Sequence, residues 1–281
     1  MIGDRPDPPV ERRIREIEPG AGRVVLVVVA HADDLALRCG GAVGRMSDAG
    51  WRVVLARVTD DATDSVGLDI DDTIRSNTLE LAEAAAILGV DETLELGYRT
   101  DRLASVPILE LRERCVRLLR ELRPYATMSF DPSGGPGEDN EDHLRVGAAM
   151  AEAHWTAMFD KHHPEHRTLG LAPHGVFERW WFSRAPQIDT IAIDISSALK
   201  RKTRAVLAHR TMVENMIEQA RLMGRTAGIV LEAGSEAAAL TRLIRHRAEV
   251  TGAAFGVGPA ETFRVERFSD LGWNLRARAS T

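Results

Sequence analysis

The stretch VVVAHADDLALRCGG, residues 28–42, decides how the chain is read. A hydrophobic run, Arg23 to Ala30 (RVVLVVVA), ends there, and His31, Asp33 and Asp34 follow within four positions. An unbroken β-branched run suits a parallel strand buried on both faces, not an alternating, half-exposed one. Gly40 to Ala49 then reads as a short helix that Gly50 closes. Three polar side chains thus stand where a buried strand hands over to a helix.

The pattern repeats outward. WRVVLARVT (51–59) is a second buried strand, and the acidic loop Asp60 to Asp72 leads into a helix through Leu88 that Gly89 ends. TLELG (93–97) is a third strand. Pro107 opens a helix in which Ile108, Leu111, Cys115, Leu118 and Leu122 recur at three- and four-residue steps. ATMSFD (126–131) is a fourth strand, followed by a Gly/Pro-rich acidic loop and a helix from Asp142 to Ala157. FERWWFS (177–183) and DTIAIDIS (189–196) come next, then a long helix over 197–222, another over 235–249 and a last strand at 262–268. Strands alternating with helices predict βαβ crossovers and an α/β fold with a mostly parallel sheet. The expected organisation is one domain over 1–281 with a C-terminal elaboration, a charged leader (1–22) and a tail (270–281).

With 44% hydrophobic and 28% charged residues the composition is that of an ordinary globular protein. A formal net charge of -6 argues against nucleic acid as a partner. Cys39 and Cys115 fit no CxxC pattern, which excludes a disulfide scaffold and a thiolate zinc site. The first residues contain no apolar signal core, and no apolar stretch reaches the ~20 residues of a membrane span. The expected setting is the cytoplasm, with a small-molecule substrate, no membrane partner and room for a homo-oligomer.

In open α/β sheets ligands bind at the carboxyl ends of the strands. HADD ends the first strand, and FDPSGGPGEDNEDH (130–143) ends the fourth, so one rim receives His31, Asp33, Asp34 and His143. A catalytic zinc takes three His or carboxylate ligands and leaves a position for water, and His31, Asp34 and His143 make such a set. Two consecutive aspartates do not both face one ion, so one binds while the other addresses the water. The competing reading is that these are helix caps, with Asp142 as another. Two such clusters on one rim favour the metal.

AHADDLALRCGGAVGRMSDAGWRVVLARVTD (30–60) resembles the first motif block of the LmbE/PIG-L-like zinc-dependent N-deacetylases, whose usual text is AHPDDE before a Gly-Gly helix. The similarity continues through LAEAAAILGVDETLELGY (81–98), RPYATMSFDPSGGPG (123–137) and NEDHLRVG (140–147), the last in place of HPDHRAVG. ALKRKTRAVLAHRT (198–211) and AETFRVER (260–267) resemble the later blocks. The resemblance implies a Rossmann-like fold and hydrolysis of an acetamide, usually on N-acetylglucosamine carried by a larger aglycone. It implies Zn2+ on His31, Asp34 and His143, with Asp33 as general base, and substrate contacts from Arg75 and Asp131. The Ala- and Arg-rich composition adds the expectation of a secondary-metabolite substrate.

Several positions depart from that family text. Leu35 stands for its Glu, Asn140 for the first His of HPDH, and two extra residues around Glu138 and Asp139 lengthen the loop. Pro136 stands for an aromatic, and Asn77 for an Arg, with Arg75 two positions earlier. An amide at 140 can donate a hydrogen bond to an oxyanion but cannot supply a proton. Two rival readings follow: a relative that binds a sugar-like ligand without hydrolysis, and a nucleotide-binding Rossmann protein whose His and Asp residues are caps. GGAVGR (40–45) lacks the G-x-G-x-x-G spacing the latter would use. HHPEH (162–166) reads as an exposed loop, His174 and His209 as structural hydrogen-bonding residues, and ELRERCVRLLRELR (110–123) as a solvated face. Trp180 and Trp181 read as one buried and one edge-facing ring.

Overall fold

The computed structural model describes residues 13–135, 137–184, 191–228 and 236–267. Pro136, the tail 270–281, most of the leader and the first two residues of DTIAIDIS lie outside them. Eight strands form one sheet: β1 (Arg13–Ile14), β2 (Val24–Val29), β3 (Arg52–Thr59), β4 (Glu92–Tyr98), β5 (Ala126–Phe130), β6 (Glu178–Phe182), β7 (Ile191–Asp194) and β8 (Ala260–Arg267). Their order is β1-β7-β8-β6-β5-β2-β3-β4.

The valine run of β2 is paired in parallel on both sides, with β3 and with β5. Val25 to Ala30 are fully buried, as an unbroken apolar run requires. From β2 the chain steps through α1 (Gly40–Asp48), β3 and α2 (Ile70–Leu88) to the edge strand β4. It then returns through α3 (Ile108–Leu122) to β5 on the other side of β2. Right-handed crossovers in opposite directions put α1 and α2 on one face, and α3 and α4 (Glu141–Thr156) on the other. The order therefore reverses between β2 and β5. That reversal opens a crevice beyond their carboxyl ends.

The distal half corrects several expectations. The predicted helix 197–222 is two helices, α5 (Leu199–Ala208) and α6 (Arg210–Thr226), broken at His209 (ψ 66°). The next, α7 (Glu236–Phe255), runs beyond 249. β8 inserts antiparallel between β6 and β7, and Arg13–Ile14, read as leader, forms β1 against β7. With partners on both sides of β6, Trp180 and Trp181 are both buried. HHPEH is exposed at His162, Pro164 and Glu165, as expected, but a short 3-10 turn (Pro164–Leu169) buries His166 between Arg120 (3.1 Å) and Glu113 (2.7 Å). Arg120 itself points inward from the charged α3 and donates to the carbonyls of Ala157, Phe159 and His162 after α4.

The nucleotide-binding rival fails at α1. The Glu261 carboxylate from β8 accepts the N–H groups of Gly41 (2.9 Å) and Ala42 (2.7 Å), the place where a phosphate would sit. Lys202 from α5 completes the arrangement, 2.5 Å from Glu261 and 2.8 Å from the Leu37 carbonyl. A Cβ on Gly41 would come within 2.7 Å of Ile195, so this glycine serves helix packing. Among the described residues no helix is long and apolar enough to cross a membrane.

Candidate metal centre

The loop after β2 is held from β3. Thr59 donates its N–H (3.0 Å) and hydroxyl (2.8 Å) to the Ala30 carbonyl. The Ala32 N–H donates to Asp61 (3.1 Å), a residue in the left-handed region (φ 55°) whose carboxylate Arg57 also grips at 2.7 Å. Burial nonetheless pushes Asp61 up to about 7 against the pull of Arg57. Asp34 opens one turn of π-helix (Leu35–Cys39) and folds back to accept the His31 N–H at 2.9 Å.

His143 arrives from the other side, in the first turn of α4. Asn140, not Asp142, is the N-cap there: its side-chain oxygen accepts the N–H groups of Asp142 (2.9 Å) and His143 (3.3 Å). Phe130, at the end of β5, stacks on the His143 ring with centroids 4.1 Å apart and planes at 15°. The two strand ends at the sheet's reversal thus fix the two histidines.

The facing atoms converge. His31 Nδ1 lies 3.1 Å from His143 Nε2 and 3.4 Å from Asp34 Oδ2, and His143 Nε2 is 3.3 Å from Asp34 Oδ1. One ligand atom from each residue fits within 4.8 Å of the others, and all three residues are buried. The outward ring nitrogens face carboxylates: His31 Nε2 to Asp142 at 3.4 Å, His143 Nδ1 to Glu138 at 3.0 Å. A carboxylate only accepts, so a metal on the inner nitrogens would leave each imidazole proton on the outward nitrogen, where Asp142 or Glu138 accepts it. A neutral imidazole then points a lone pair inward, toward Asp34. In that tautomer three acceptors face one another and could hold a cation.

The electrostatics agree. Burial pulls His31 and His143 down, but their carboxylate neighbours override it and hold both above the usual histidine range. Burial pushes Asp34 up, yet His143 and His31 keep it well below the carboxylate range. In a metal-free site protons occupy the place of the ion. Asp33 behaves oppositely: burial, then the charge of Asp34, push it up to about 6. Among the described residues its carboxylate has no hydrogen bond or ion pair.

The remaining expected residues are held by partners of their own. Asp131 is buried at the end of β5, where Arg264 (2.6 Å) and the Ser133 hydroxyl (2.6 Å) grip its carboxylate. Arg75 is on the exposed side of α2, paired with Asp72. Asn77 is buried, donating to the carbonyls of Asp61 and Asp64. His174 makes the expected structural bond, to the Pro124 carbonyl at 2.8 Å, whereas neither ring nitrogen of buried His209 has a partner among the described residues. The supporting roles of Asp142 and Glu138 were not read from the sequence. Asp142 could have been suspected from its place beside His143; Glu138, five residues away across a loop, gave no signal. Beside the centre lies a depression of about 410 Å³ lined by residues that include Ala62, Thr100 and Asp101. The Asp101 N–H donates to Asp142 at 2.7 Å.

An α/β scaffold with a buried His-Asp-His group at the reversal of its strand order defines a class of candidate metallohydrolases. Residues 26–154, a little under half of the chain, match the model of the PIG-L family, described as GlcNAc-PI de-N-acetylase. A diacetylchitobiose deacetylase of Thermococcus kodakarensis is 27% identical over 190 residues, covering 66% of this chain and 69% of that protein. A 1D-myo-inositol 2-acetamido-2-deoxy-alpha-D-glucopyranoside deacetylase of Kineococcus radiotolerans is 30% identical over 162 residues, covering 47% of this chain and only 44% of its own length. The structure of an N,N'-diacetylchitobiose deacetylase from Pyrococcus horikoshii superimposes with a TM-score of 0.73 at 22% identity, covering 91% of each chain. At that identity the structural likeness speaks for the fold.

Proposed function

We propose that this protein is a zinc-dependent amidohydrolase that removes an acyl group, acetyl in the first instance, from an amino sugar or an amino-sugar-containing metabolite. One observation carries the reading: His31 Nδ1, Asp34 and His143 Nε2 converge, and a carboxylate faces the outer nitrogen of each histidine. Tetrahedral zinc with bonds of ~2.0–2.1 Å has ligand–ligand edges of about 3.3 Å; the His31–His143 edge here is 3.1 Å, while Asp34 reaches His143 with Oδ1 at 3.3 Å and His31 with Oδ2 at 3.4 Å. When bound, the ion would lower the pKa of water and polarise the amide carbonyl. The relatives' acetamido-sugar substrates supply the substrate class.

Asp33 is the proton carrier in this reading. Among the described residues its carboxylate has no hydrogen bond or ion pair, and a value of about 6 suits a group that takes a proton from water and returns it near neutral pH. The proton leaves the attacking water for Asp33, the water oxygen joins the acyl carbon, and the same proton reaches the departing nitrogen as the C–N bond breaks. The other candidate donors are engaged: Glu138 by His143, Asp139 by Arg184, and His163 by Glu165. Asn140 supplies no proton. Its carbonyl caps α4, which leaves the amide to donate toward the oxyanion. Arg75 and Asp131 remain proposed substrate contacts, Asp131 through its partner Arg264.

The second reading, binding without hydrolysis, draws on that same absence of an imidazole at 140. Zinc content of protein purified without added metal, and amine release from a panel of N-acetylated amino sugars including N,N'-diacetylchitobiose, separate the two. Protein that takes up no zinc sinks the hydrolase reading. Bound zinc without turnover of any amide favours the binding protein.

A further inference from the structure

We infer that Glu138 is a positioning residue: its carboxylate orients His143 toward the metal and thereby sets how tightly the centre holds its ion. The inference rests on the metal-centre reading above. Glu138 Oε1 lies 3.0 Å from His143 Nδ1, and the Glu138 side chain is only 3% exposed. The same oxygen accepts the Asn140 N–H at 3.2 Å. Arg184, from the segment after β6, reaches Glu138 at 3.3 Å and Asp139 at 2.8 Å.

A carboxylate on the outer nitrogen of a ligating histidine fixes the tautomer, aims the ring and makes the inner nitrogen a better donor. Asp142 stands in that relation to His31 from within α4. Glu138 stands in the same relation to His143 from the loop before α4, in the two-residue extension that sets this chain apart from the usual family text. The loop that departs from that text therefore carries a support for a ligand.

A structural role is the competing explanation, since Glu138 also braces the loop through Asn140 and Arg184. Zinc affinity by chelator competition, and the visible spectrum of the cobalt-substituted protein, distinguish the two. Glu138→Ala is expected to weaken zinc binding about 10–100-fold, the usual worth of such a partner. It should alter the cobalt spectrum while the metal-free protein melts as wild type does. Glu138→Gln, which keeps an acceptor without the charge, should recover part of that affinity; it also carries the test if Glu138→Ala does not fold. Arg184→Ala, which releases the loop but leaves the Glu138–His143 bond, should cost less than Glu138→Ala. Unchanged zinc affinity and spectrum in Glu138→Ala overturn the inference, as does an equal loss in Arg184→Ala. Wild-type protein that takes up no zinc overturns the metal centre itself, whereas wild-type binding with an indifferent Glu138→Ala overturns this inference alone.

Discussion

Asp33 and Asp34 are neighbours in the chain with opposite electrostatic fates. Asp34 is held ionised by two histidines, while Asp33 is raised by burial and by Asp34 itself. Asp33→Asn should therefore keep the metal and lose about 10²–10⁴ in turnover, the worth of a positioned base. His31→Ala or His143→Ala should lose both, measured as zinc stoichiometry beside amine release. If Asp33→Asn empties the site, the roles of the two aspartates are reversed. Asn140 has two jobs to separate, cap and donor. Asn140→Ala should cost ~1 kcal/mol of stability, a typical N-cap loss, as well as rate. Asn140→Asp keeps the cap and removes the amide, so urea unfolding should return to wild type while turnover stays low. Turnover at the wild-type level in Asn140→Asp would show that no amide donor acts there. At this scale the candidate group was legible because HADD and EDH are short, local and placed by their strands. Glu138 was not, because a loop conformation brings it to His143 and no periodicity encodes that.

At the scale of elements, α1 owes its first turn to a distant strand. Glu261 accepts two of its N–H groups and Lys202 neutralises the carboxylate, both residues being buried. Removing one partner leaves an uncompensated buried charge, so Glu261→Ala or Lys202→Met should each destabilise by about 3–5 kcal/mol in urea unfolding. The double variant should cost less than the sum of the two. The strands and helices through α4 could be read from apolar runs and from the glycines that end them, Gly50 and Gly89. The break at His209 was hidden because an amphipathic pattern runs unbroken through ALKRKTRAVLAHRTMVENM with no proline or glycine to mark it. β1 was hidden because two residues carry no alternation, and the Trp pair because the insertion of β8 beside β6 is a tertiary event.

At the scale of the whole molecule, a buried histidine ties stability to acidity. His209 is pushed down to about 4, chiefly by burial, with Asp34 and Glu83 pulling up and Arg210 and Arg57 pulling down. It is neutral in the folded state and charges more readily when unfolded. Its folded value is depressed, so the stability it permits is present above the unfolded pKa of ~6.5 and is lost as pH falls toward 4. Between pH 7 and pH 5 the metal-free protein should lose about 2 kcal/mol through this residue. Urea midpoints of wild type and His209→Leu at both pH values measure it; an equal acid loss in the two would exonerate His209. The α/β class was legible because strand and helix patterns alternate. The order of β6, β8 and β7 was not, since antiparallel insertion leaves no local trace. The Glu261 cap has a further consequence in time. During synthesis His31, Asp34 and His143 have all emerged while Glu261 has yet to be translated. At about 5–20 residues per second the roughly 120 residues between them take on the order of ten seconds. For that interval the nascent chain holds all three proposed metal ligands beside a helix whose first turn is still unsatisfied, so in this reading ion capture can precede closure of the fold.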